Sequence, residues 1–228
     1  MSVPPDPKML ARTLPGSTAW PVLAEGLEEV RADSSRDMAG AFVFALSRLP
    51  VEDERPVIFA ANRLWAGENG RPHGPGFRSS GLPGRGAGLV LADGRTEGEL
   101  LWIMEQALRS GAVSAALATV EAASLAQTRR LEFAARDGAA VGIVLRRTEG
   151  GLSAARRRWR ITTLASVDDP YDAKAPGGFR LRAELTRSRT ERPGAWKLEQ
   201  DDETYRLRLA DRLAGDGLGE RGRTGLAA

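Results

Sequence analysis

The 228-residue chain is 42% hydrophobic and 28% charged, which suits one globular domain with a sizeable core. It has no cysteine, so disulfides, thiolate chemistry and cysteine-type zinc sites are excluded. The single histidine, His73, lies in a Gly/Pro-rich stretch, which favours a loop side chain over a catalytic triad. Because the chain has no run of about 18 apolar residues and no signal-peptide pattern, we expect a cytoplasmic protein without membrane contact.

Arginine dominates the basic residues. Of the 33 lysines and arginines, only Lys8, Lys174 and Lys197 are lysines. No lysine lies between Lys8 and Lys174. A phosphate-binding loop of the GxxxxGK[ST] type would need one in that interval, because its ammonium group neutralises the terminal phosphates. The net charge is only +3, so any affinity for nucleic acid would have to come from local clusters of arginine.

The two ends of the chain differ from its middle in composition. Residues 1 to 20 carry four prolines and no apolar period, which predicts a flexible N-terminal arm that either docks on a partner or frays. Residues 211 to 228 are rich in glycine and predict a disordered tail. We expect residues 21 to 210 to form the core domain.

The core begins with a strand, a loop and a helix. Leu27 to Arg31 predicts the strand, and the helix is expected from Arg36 to Leu49 with Asp33 or Ser34 as its N-cap. A phosphate loop occurs in this order, yet this loop lacks the necessary glycines and lysine, and its aspartates would repel an anion. We therefore expect no functional nucleotide site here. The residues of this degenerate site are Asp33, Ser34, Arg36 and Asp37.

A strand from Val57 to Ala60 precedes a long segment rich in glycine and proline. That segment runs from Ala66 to Gly86, with Phe77 and Leu82 as apolar anchors. Loops of this length are often functional, so Phe77 either contacts a partner or belongs to a loosely packed surface excursion. Gly88 to Leu91 then predicts a third buried strand.

Two capping pairs predict the next two helices. Thr96 with Glu99, and Ser124 with Gln127, have the spacing at which a hydroxyl and a carboxylate or amide satisfy first-turn amides. The first helix should end at Gly111. Its predicted buried stripe consists of Leu100, Leu101, Met104, Ala107 and Leu108.

The second helix is expected from Gln127 to Arg136, with a solvated arginine face and Gly138 as a left-handed C-cap. Its predicted apolar side consists of Leu131, Phe133 and Ala134. The runs from Val113 to Val120 and from Val141 to Leu145 show no polar alternation. Both runs are typical of strands that helices cover on both faces of a parallel sheet.

An arginine-rich segment follows the second of these strands, around a Gly-Gly turn. It contains Arg146, Arg147, Arg156, Arg157, Arg158 and Arg160, with Trp159 at the start of a strand. The arginines either bind nucleic acid or an acidic partner through their planar forks, or simply solvate the strand ends. Likewise, Trp159 either stacks on a base or faces the core.

The rest of the core reads as antiparallel strands. Residues 179 to 185 alternate apolar and polar side chains, and Trp196 with Leu198 repeats the pattern after a turn at residues 191 to 194. Residues 205 to 209 supply a third alternating run.

Three short segments of the sequence resemble a known family. TEGELL, RSGAV at Arg109 to Val113, and RLRAELTRSRTERPGAWKLEQDDE resemble parts of the RecA recombinase core, over roughly residues 26 to 205. A RecA-like core that lacks the nucleotide-binding residues is similar to the ImuA family, which is grouped with SulA-like relatives. The resemblance implies an α/β fold, a RecA-like mostly parallel twisted sheet flanked by helices, with C-terminal antiparallel strands.

The resemblance also implies a lost active site. Besides the missing lysine, Ala61 stands where RecA has the carboxylate that activates water. Thr119 stands where RecA has a carboxylate that holds magnesium, unless Glu121 substitutes for it. We therefore expect no catalytic residue, no cofactor and no metal, and the active-ATPase alternative is disfavoured.

By resemblance, the chain would be a non-enzymatic accessory of damage-induced (SOS) translesion DNA synthesis. Its expected partners are an ImuB-like Y-family polymerase homologue and RecA, with an error-prone polymerase III alpha-type subunit reached indirectly. In RecA the region matching the arginine-rich segment contacts DNA, so weak DNA contact stays open here. The alternative is a SulA-like cell-division inhibitor that binds FtsZ.

Overall fold

The computed structural model describes residues 25–50, 53–73, 88–166, 172, 174–175, 177–201 and 206–210. The predictions for the N-terminal arm, for Phe77 and Leu82 in the Gly/Pro-rich loop, for Tyr205 and for the C-terminal tail concern residues outside these ranges.

Strands and helices alternate through the first two thirds of the described residues, and strands follow alone. The strands are β1 (Gly26–Ala32), β2 (Val57–Ala61), β3 (Leu89–Asp93), β4 (Ala115–Thr119), β5 (Val141–Arg146), β6 (Arg157–Leu164), β7 (Arg180–Ser188), β8 (Gly194–Gln200) and β9 (Leu207–Leu209). The helices are α1 (Met38–Ser47), α2 (Arg63–Asn69), α3 (Glu97–Arg109) and α4 (Leu125–Asp137), and a 3-10 turn (Ser35–Asp37) precedes α1.

All nine described strands form one sheet in the order β3-β2-β4-β5-β1-β6-β7-β8-β9. The pairs from β3 to β6 are parallel, whereas β6, β7, β8 and β9 pair antiparallel. The predicted fold class, a mostly parallel α/β sheet with C-terminal antiparallel strands and flanking helices, is confirmed.

Each face of the sheet has its own core. On one face α1 packs its Phe44 and Leu46 over Val30, Trp159 and Ile161 of the central strands. On the other face α3 and α4 cover the parallel strands with the predicted stripe of α3. The runs that lack polar alternation, β4 and β5, are buried along their whole length because helices lie on both sides of them.

Both capping pairs begin helices as predicted. Gln127 N donates to Ser124 Oγ at 3.2 Å, and Ser124 N donates to Gln127 Oε1 at 2.8 Å, so this capping box is complete. At α3 the amide of Glu99 donates to Thr96 Oγ1 at 3.2 Å. The Glu99 carboxylate, however, accepts from the amide of Arg95 at 2.7 Å, one residue before the expected donor.

Three side chains predicted to be buried are exposed. Strand β3 forms an edge of the described sheet, where Val90 and Leu91 are 46% and 42% exposed. The prediction of a third buried strand was therefore wrong, because an edge strand has a neighbour on one side only. Phe133, predicted on the apolar side of α4, is 58% exposed.

Helix α2 was missed, because its seven residues lie partly inside the segment that was assigned to the Gly/Pro-rich loop. Gly138 was assigned a left-handed conformation, yet its φ is −88° and the positive φ of 46° belongs to Ala139. A different constraint requires glycine here, since a Cβ on Gly138 would lie 1.8 Å from the carbonyl oxygen of Leu108. Within the described residues, no helix has the length and apolar content needed to cross a membrane.

Candidate functional site

The carboxyl ends of the parallel strands meet at one edge of the sheet, where open α/β sheets usually bind their ligands. Asp33 follows β1, Asn62 follows β2, Val120 follows β4 and Arg147 follows β5. These turns contain the residues predicted to form a degenerate nucleotide site.

The turn after β1 is closed by Asp37. Its Oδ2 accepts from the amide of Ser34 at 2.9 Å and from Ser34 Oγ at 2.7 Å, while its Oδ1 accepts from the amide of Thr163 at 2.6 Å. Burial raises the pKa of Asp37, but the hydrogen bonds from Ser34 and Thr163 outweigh it and hold the pKa below its usual value. Asp37 therefore links the turn to β6, and its negative charge would repel an anion at this turn.

Asp33 and Arg36 of this turn do not complete an anion site. Asp33 accepts from Thr162 Oγ1 at 3.3 Å and lies 3.6 Å from the guanidinium of Arg31. Arg36 is exposed on the 3-10 turn.

The turn after β2 carries no carboxylate. Ala61 is 6% exposed, and the side chain of Asn62 accepts from the amide of Trp65 at 2.8 Å, which caps α2. Thr119 at the end of β4 is 7% exposed, and its Oγ1 has no hydrogen-bond partner among the described residues. Ala61 and Thr119, the positions that the sequence resemblance matches to two acids of RecA, therefore carry a methyl group and a hydroxyl.

Three glutamates line the same pocket as Thr119, and each accepts hydrogen bonds, Glu68 from Arg147 Nη1 at 3.1 Å. The carboxylate of Glu121 accepts from Arg147 Nε at 3.0 Å and from the amide and hydroxyl of Thr148, both at 3.1 Å. Glu97 accepts from the amides of Glu121 and Ala122 at 2.8 and 3.1 Å. Over the described ranges, no group of three or more histidine, aspartate and glutamate side chains is placed to hold a metal ion.

The comparisons with known proteins place the chain in a family. No family model matches it. Two curated proteins from strains of Caulobacter vibrioides, each named Protein ImuA, are 34% identical to it over 165 residues. The match covers 66% of this chain and 66% of each relative, so it spans just under two thirds of their length. The chain belongs to the ImuA family. Among solved structures, SulA from Pseudomonas aeruginosa is similar over 54% of this chain and 98% of its own, with a TM-score of 0.39 and 16% identity.

In this ImuA-family chain, the arginines of the arginine-rich segment are paired with carboxylates inside the molecule. The pairs are Arg146–Glu29, Arg147–Glu121 and Arg147–Glu68, Arg156–Glu132, Arg157–Glu28 and Arg157–Glu191, Arg158–Glu29, and Arg160–Glu184. Their side-chain exposure ranges from 2% at Arg146 to 42% at Arg147. Most of the positive charge that suggested a nucleic-acid site is therefore neutralised within the fold.

Trp159 lies in the core and not on the surface. It is 2% exposed, and its ring packs 5.1 Å from that of Phe44 and 5.8 Å from that of Trp196. Of the two alternatives for this residue, the structure selects the core, and a Trp159 that stacks on a base is excluded. Phe77, the remaining predicted contact residue, lies outside the described residues.

Two buried glutamates were missed by sequence reasoning. Glu28 accepts from Arg48 Nε at 3.1 Å, from Arg157 Nη1 at 3.0 Å and from Trp159 Nε1 at 3.1 Å. Glu29, on the opposite face of β1, accepts from Arg146, Arg158 and the hydroxyl of Ser153. The sequence offers one signal, two consecutive acids within a strand, because a buried carboxylate usually needs a cationic partner; it does not show which cation that is.

We expect the pair of Arg157 and Glu191 to make stability depend on acidic pH. Burial raises the pKa of Glu191, but hydrogen bonds from Arg157, Ser188 and Thr190 outweigh it and lower the pKa from 4.5 to about 2. A depressed folded-state pKa stabilises the protein above the unfolded value, and this stability is lost as the pH falls from 4.5 towards 2.

Urea denaturation at several pH values across this window measures the effect. Glu191→Gln should flatten the loss of unfolding free energy, whereas the same change at Glu68, which is 47% exposed, should leave the profile unchanged. Parallel profiles for wild type and Glu191→Gln would show that other carboxylates control the acid transition.

Proposed function

We propose that this chain is a non-enzymatic accessory protein of damage-induced translesion DNA synthesis. In this proposal it binds an ImuB-like Y-family polymerase homologue and RecA, and reaches an error-prone polymerase III alpha-type subunit through them. The observation that carries the proposal is the 34% identity to Protein ImuA over 165 residues.

The carboxyl edge supports a role without catalysis. Asp37, Glu97 and Glu121 each accept hydrogen bonds from within the chain, and Ala61 and Thr119 offer no carboxylate. Phosphoryl transfer depends on a lysine, a metal-holding acid and a group that orients water. Since the chain lacks these groups at the carboxyl edge, the sheet is better suited to bind other proteins as a rigid body than to transfer phosphoryl groups.

Exposed apolar side chains support action through protein contact. Trp102 on α3 is 59% exposed, Phe133 on α4 is 58% exposed and Leu64 on α2 is 66% exposed. Aromatic side chains of this kind carry much of the binding energy in protein interfaces. Val90 and Leu91 add apolar surface on β3, which forms an edge of the described sheet, and an edge strand can present backbone groups to a partner.

Complementation tests the proposal. A bacterium that lacks its own ImuA-family gene should regain ultraviolet-induced mutation when this chain is expressed, and affinity purification from these damaged cells should recover the ImuB-like protein or RecA. The vector alone provides the baseline mutation frequency. Recovery of FtsZ with neither of those partners, together with filamentous cells and no gain in mutation, would transfer the assignment to a division inhibitor.

We expect the chain not to bind MgATP with a dissociation constant below about 100 µM, because a lysine and metal-holding acids normally supply the electrostatic stabilisation of the phosphates. Isothermal titration calorimetry measures this, with RecA as the positive control. Magnesium-dependent hydrolysis that is abolished by Thr119→Val would contradict a non-enzymatic role. This variant preserves the shape of a side chain whose hydroxyl has no partner in the described structure.

A further inference from the structure

One face of the antiparallel strands carries no helix within the described residues. On β7, Leu181, Ala183 and Leu185 are fully buried against the α1 side, so the alternating residues point to the opposite face. Helices α3 and α4 cover that opposite face only over the parallel strands, where their core cluster lies. The face of β6 to β9 beyond α4 is therefore a polar surface of sheet.

This surface is rich in cations, and we call it the basic sheet face. Its members are Arg160 on β6, Arg180 and Arg182 on β7, Lys197 on β8 and Arg208 on β9. The side chains of Arg182 and Arg208 are 53% and 62% exposed.

Two carboxylates lie among these five cations. Glu184 is 2.6 Å from Arg160 and 3.9 Å from Arg182, and Glu199 is 3.5 Å from both Arg180 and Arg208. Asp33 and Glu149 lie at the margin of the face, close enough to Arg160 to interact with its charge. The centre of the face therefore keeps an excess of positive charge.

Like charges oppose each other directly across this side of the sheet. Arg31 is the register partner of Arg146 on one side and of Arg160 on the other. Arg182 is the register partner of Lys197. Directly opposed like charges destabilise a sheet, so the stability of the fold does not account for this arrangement.

We propose that the basic sheet face binds the phosphate backbone of DNA. This inference goes beyond the proposed function, which requires only protein contacts. Arginine binds phosphate through a planar fork, and alternate residues along a strand stand about 6.7 Å apart on one face, which gives a regular row of such forks. The short side chains of Thr162 and Ala195 lie in the same rows and leave room for a backbone to approach.

A cavity of about 290 Å³ continues the face towards the carboxyl edge of the sheet. Arg31, Arg146, Arg158 and Arg160 line it together with Glu29, Glu149 and Glu184. The Nε of Arg146 is buried there without a hydrogen-bond partner among the described residues. With four arginines against three glutamates, the cavity adds a small excess of positive charge beside the strands.

The binding we propose is independent of base sequence. The aromatic rings of β6 and β8, Trp159 and Trp196, pack on the opposite face of the sheet, so they provide no platform for bases here. The affinity must then come from counterion release, which makes it fall steeply with salt.

DNA fits this surface better than an acidic protein does. Protein interfaces concentrate apolar and aromatic residues at their centre and exclude charges from it. Apart from Leu164 at the end of β6, the rows of the basic sheet face hold arginine, lysine, glutamate, threonine and alanine, and its cations occupy the centre. Interfaces with nucleic acid are, in contrast, polar and strongly positive.

Fluorescence anisotropy with a labelled duplex of mixed sequence, at several salt concentrations, tests the proposal on the full chain. Wild type should bind, and the double variant Arg182→Gln/Lys197→Gln should flatten the slope of log affinity against log salt by about 1.8, because each phosphate contact contributes about 0.9. The matched control, Arg63→Gln/Arg129→Gln, removes the same charge from exposed positions on α2 and α4 and should leave the slope unchanged.

Three results would overturn the inference. The first is that wild type fails to bind the duplex at low salt, and the second is that both double variants flatten the slope equally. The third is that polyglutamate binds wild type more tightly than DNA does and that Arg182→Gln/Lys197→Gln abolishes this binding. The last result would assign the face to an acidic protein. The complementation assay in cells tests the proposed function separately. Failure of DNA binding alone would therefore not contradict the proposed function.

Discussion

Replacing Glu28 by glutamine should lower the free energy of unfolding by about 3 to 5 kcal/mol, the usual cost of removing one partner from a buried ion pair. Glutamine keeps the shape of the side chain, so the effect is electrostatic and leaves no cavity. The side chain of Arg48 is only 1% exposed and would keep its charge without a carboxylate partner at Glu28. Urea denaturation followed by circular dichroism measures the loss.

The control for this change is the same substitution at an exposed pair. Glu68 is paired with Arg147, and their side chains are 47% and 42% exposed, so Glu68→Gln should cost about 0 to 1 kcal/mol. Adding Arg48→Met to Glu28→Gln removes the buried guanidinium that has lost its carboxylate partner at Glu28, and should recover part of the stability. If the free energy of unfolding of Glu28→Gln lies within about 1 kcal/mol of the wild-type value, the ion pairs of Glu28 do not stabilise the central strand as we expect.

Short-range patterns allowed much of the parallel half of the fold to be predicted. Ser124 with Gln127 marks the start of α4 because both groups belong to one helical turn. The apolar runs of β4 and β5 were identified as buried because a continuous run of this kind needs helices on both sides. The alternation along β7 likewise identified which of its faces meets the core.

Charge pairing could not be predicted, since it depends on contacts between distant parts of the chain. Glu28 meets Arg157 at a separation of 129 residues, and Glu29 meets Arg146 at 117. In the sequence, the six arginines between residues 146 and 160 form a cluster that suggests a nucleic-acid site. Only the fold shows that each of them has a carboxylate neighbour.

The same limit explains why the basic sheet face was not recognised. Arg182 and Lys197 belong to different strands, and their side chains become neighbours only through the register of β7 and β8. In the sequence each residue is one charge in an alternating strand, which is the ordinary pattern of a wet sheet face. The structure adds the information that these two cations lie directly opposite each other on neighbouring strands.

Replacing Gly138 by alanine should destabilise the protein by about 3 kcal/mol or more, at the upper end of the usual range for overpacking. The new Cβ would lie 1.8 Å from the carbonyl oxygen of Leu108 and 3.4 Å from that of Ala134. The ends of α3 and α4 would have to separate. Arg55 holds these same ends together, since its guanidinium donates to the carbonyls of Gly111, Gly138 and Ala139 at 2.9, 3.1 and 2.7 Å.

A matched glycine allows the steric effect to be isolated. Gly67 lies inside α2, and a Cβ added to it would meet no atom within 4 Å apart from its chain neighbours and its own helix backbone, so Gly67→Ala should stabilise the helix by about 0.5 to 1 kcal/mol. Thermal and urea unfolding of the two variants should therefore move in opposite directions from wild type. If Gly138→Ala also gains stability, the close approach of the two helix ends is not the reason for glycine at this position. If it loses stability as expected, adding Arg55→Ala should cost less than it does in wild type, because the carbonyls that Arg55 clamps have already moved apart.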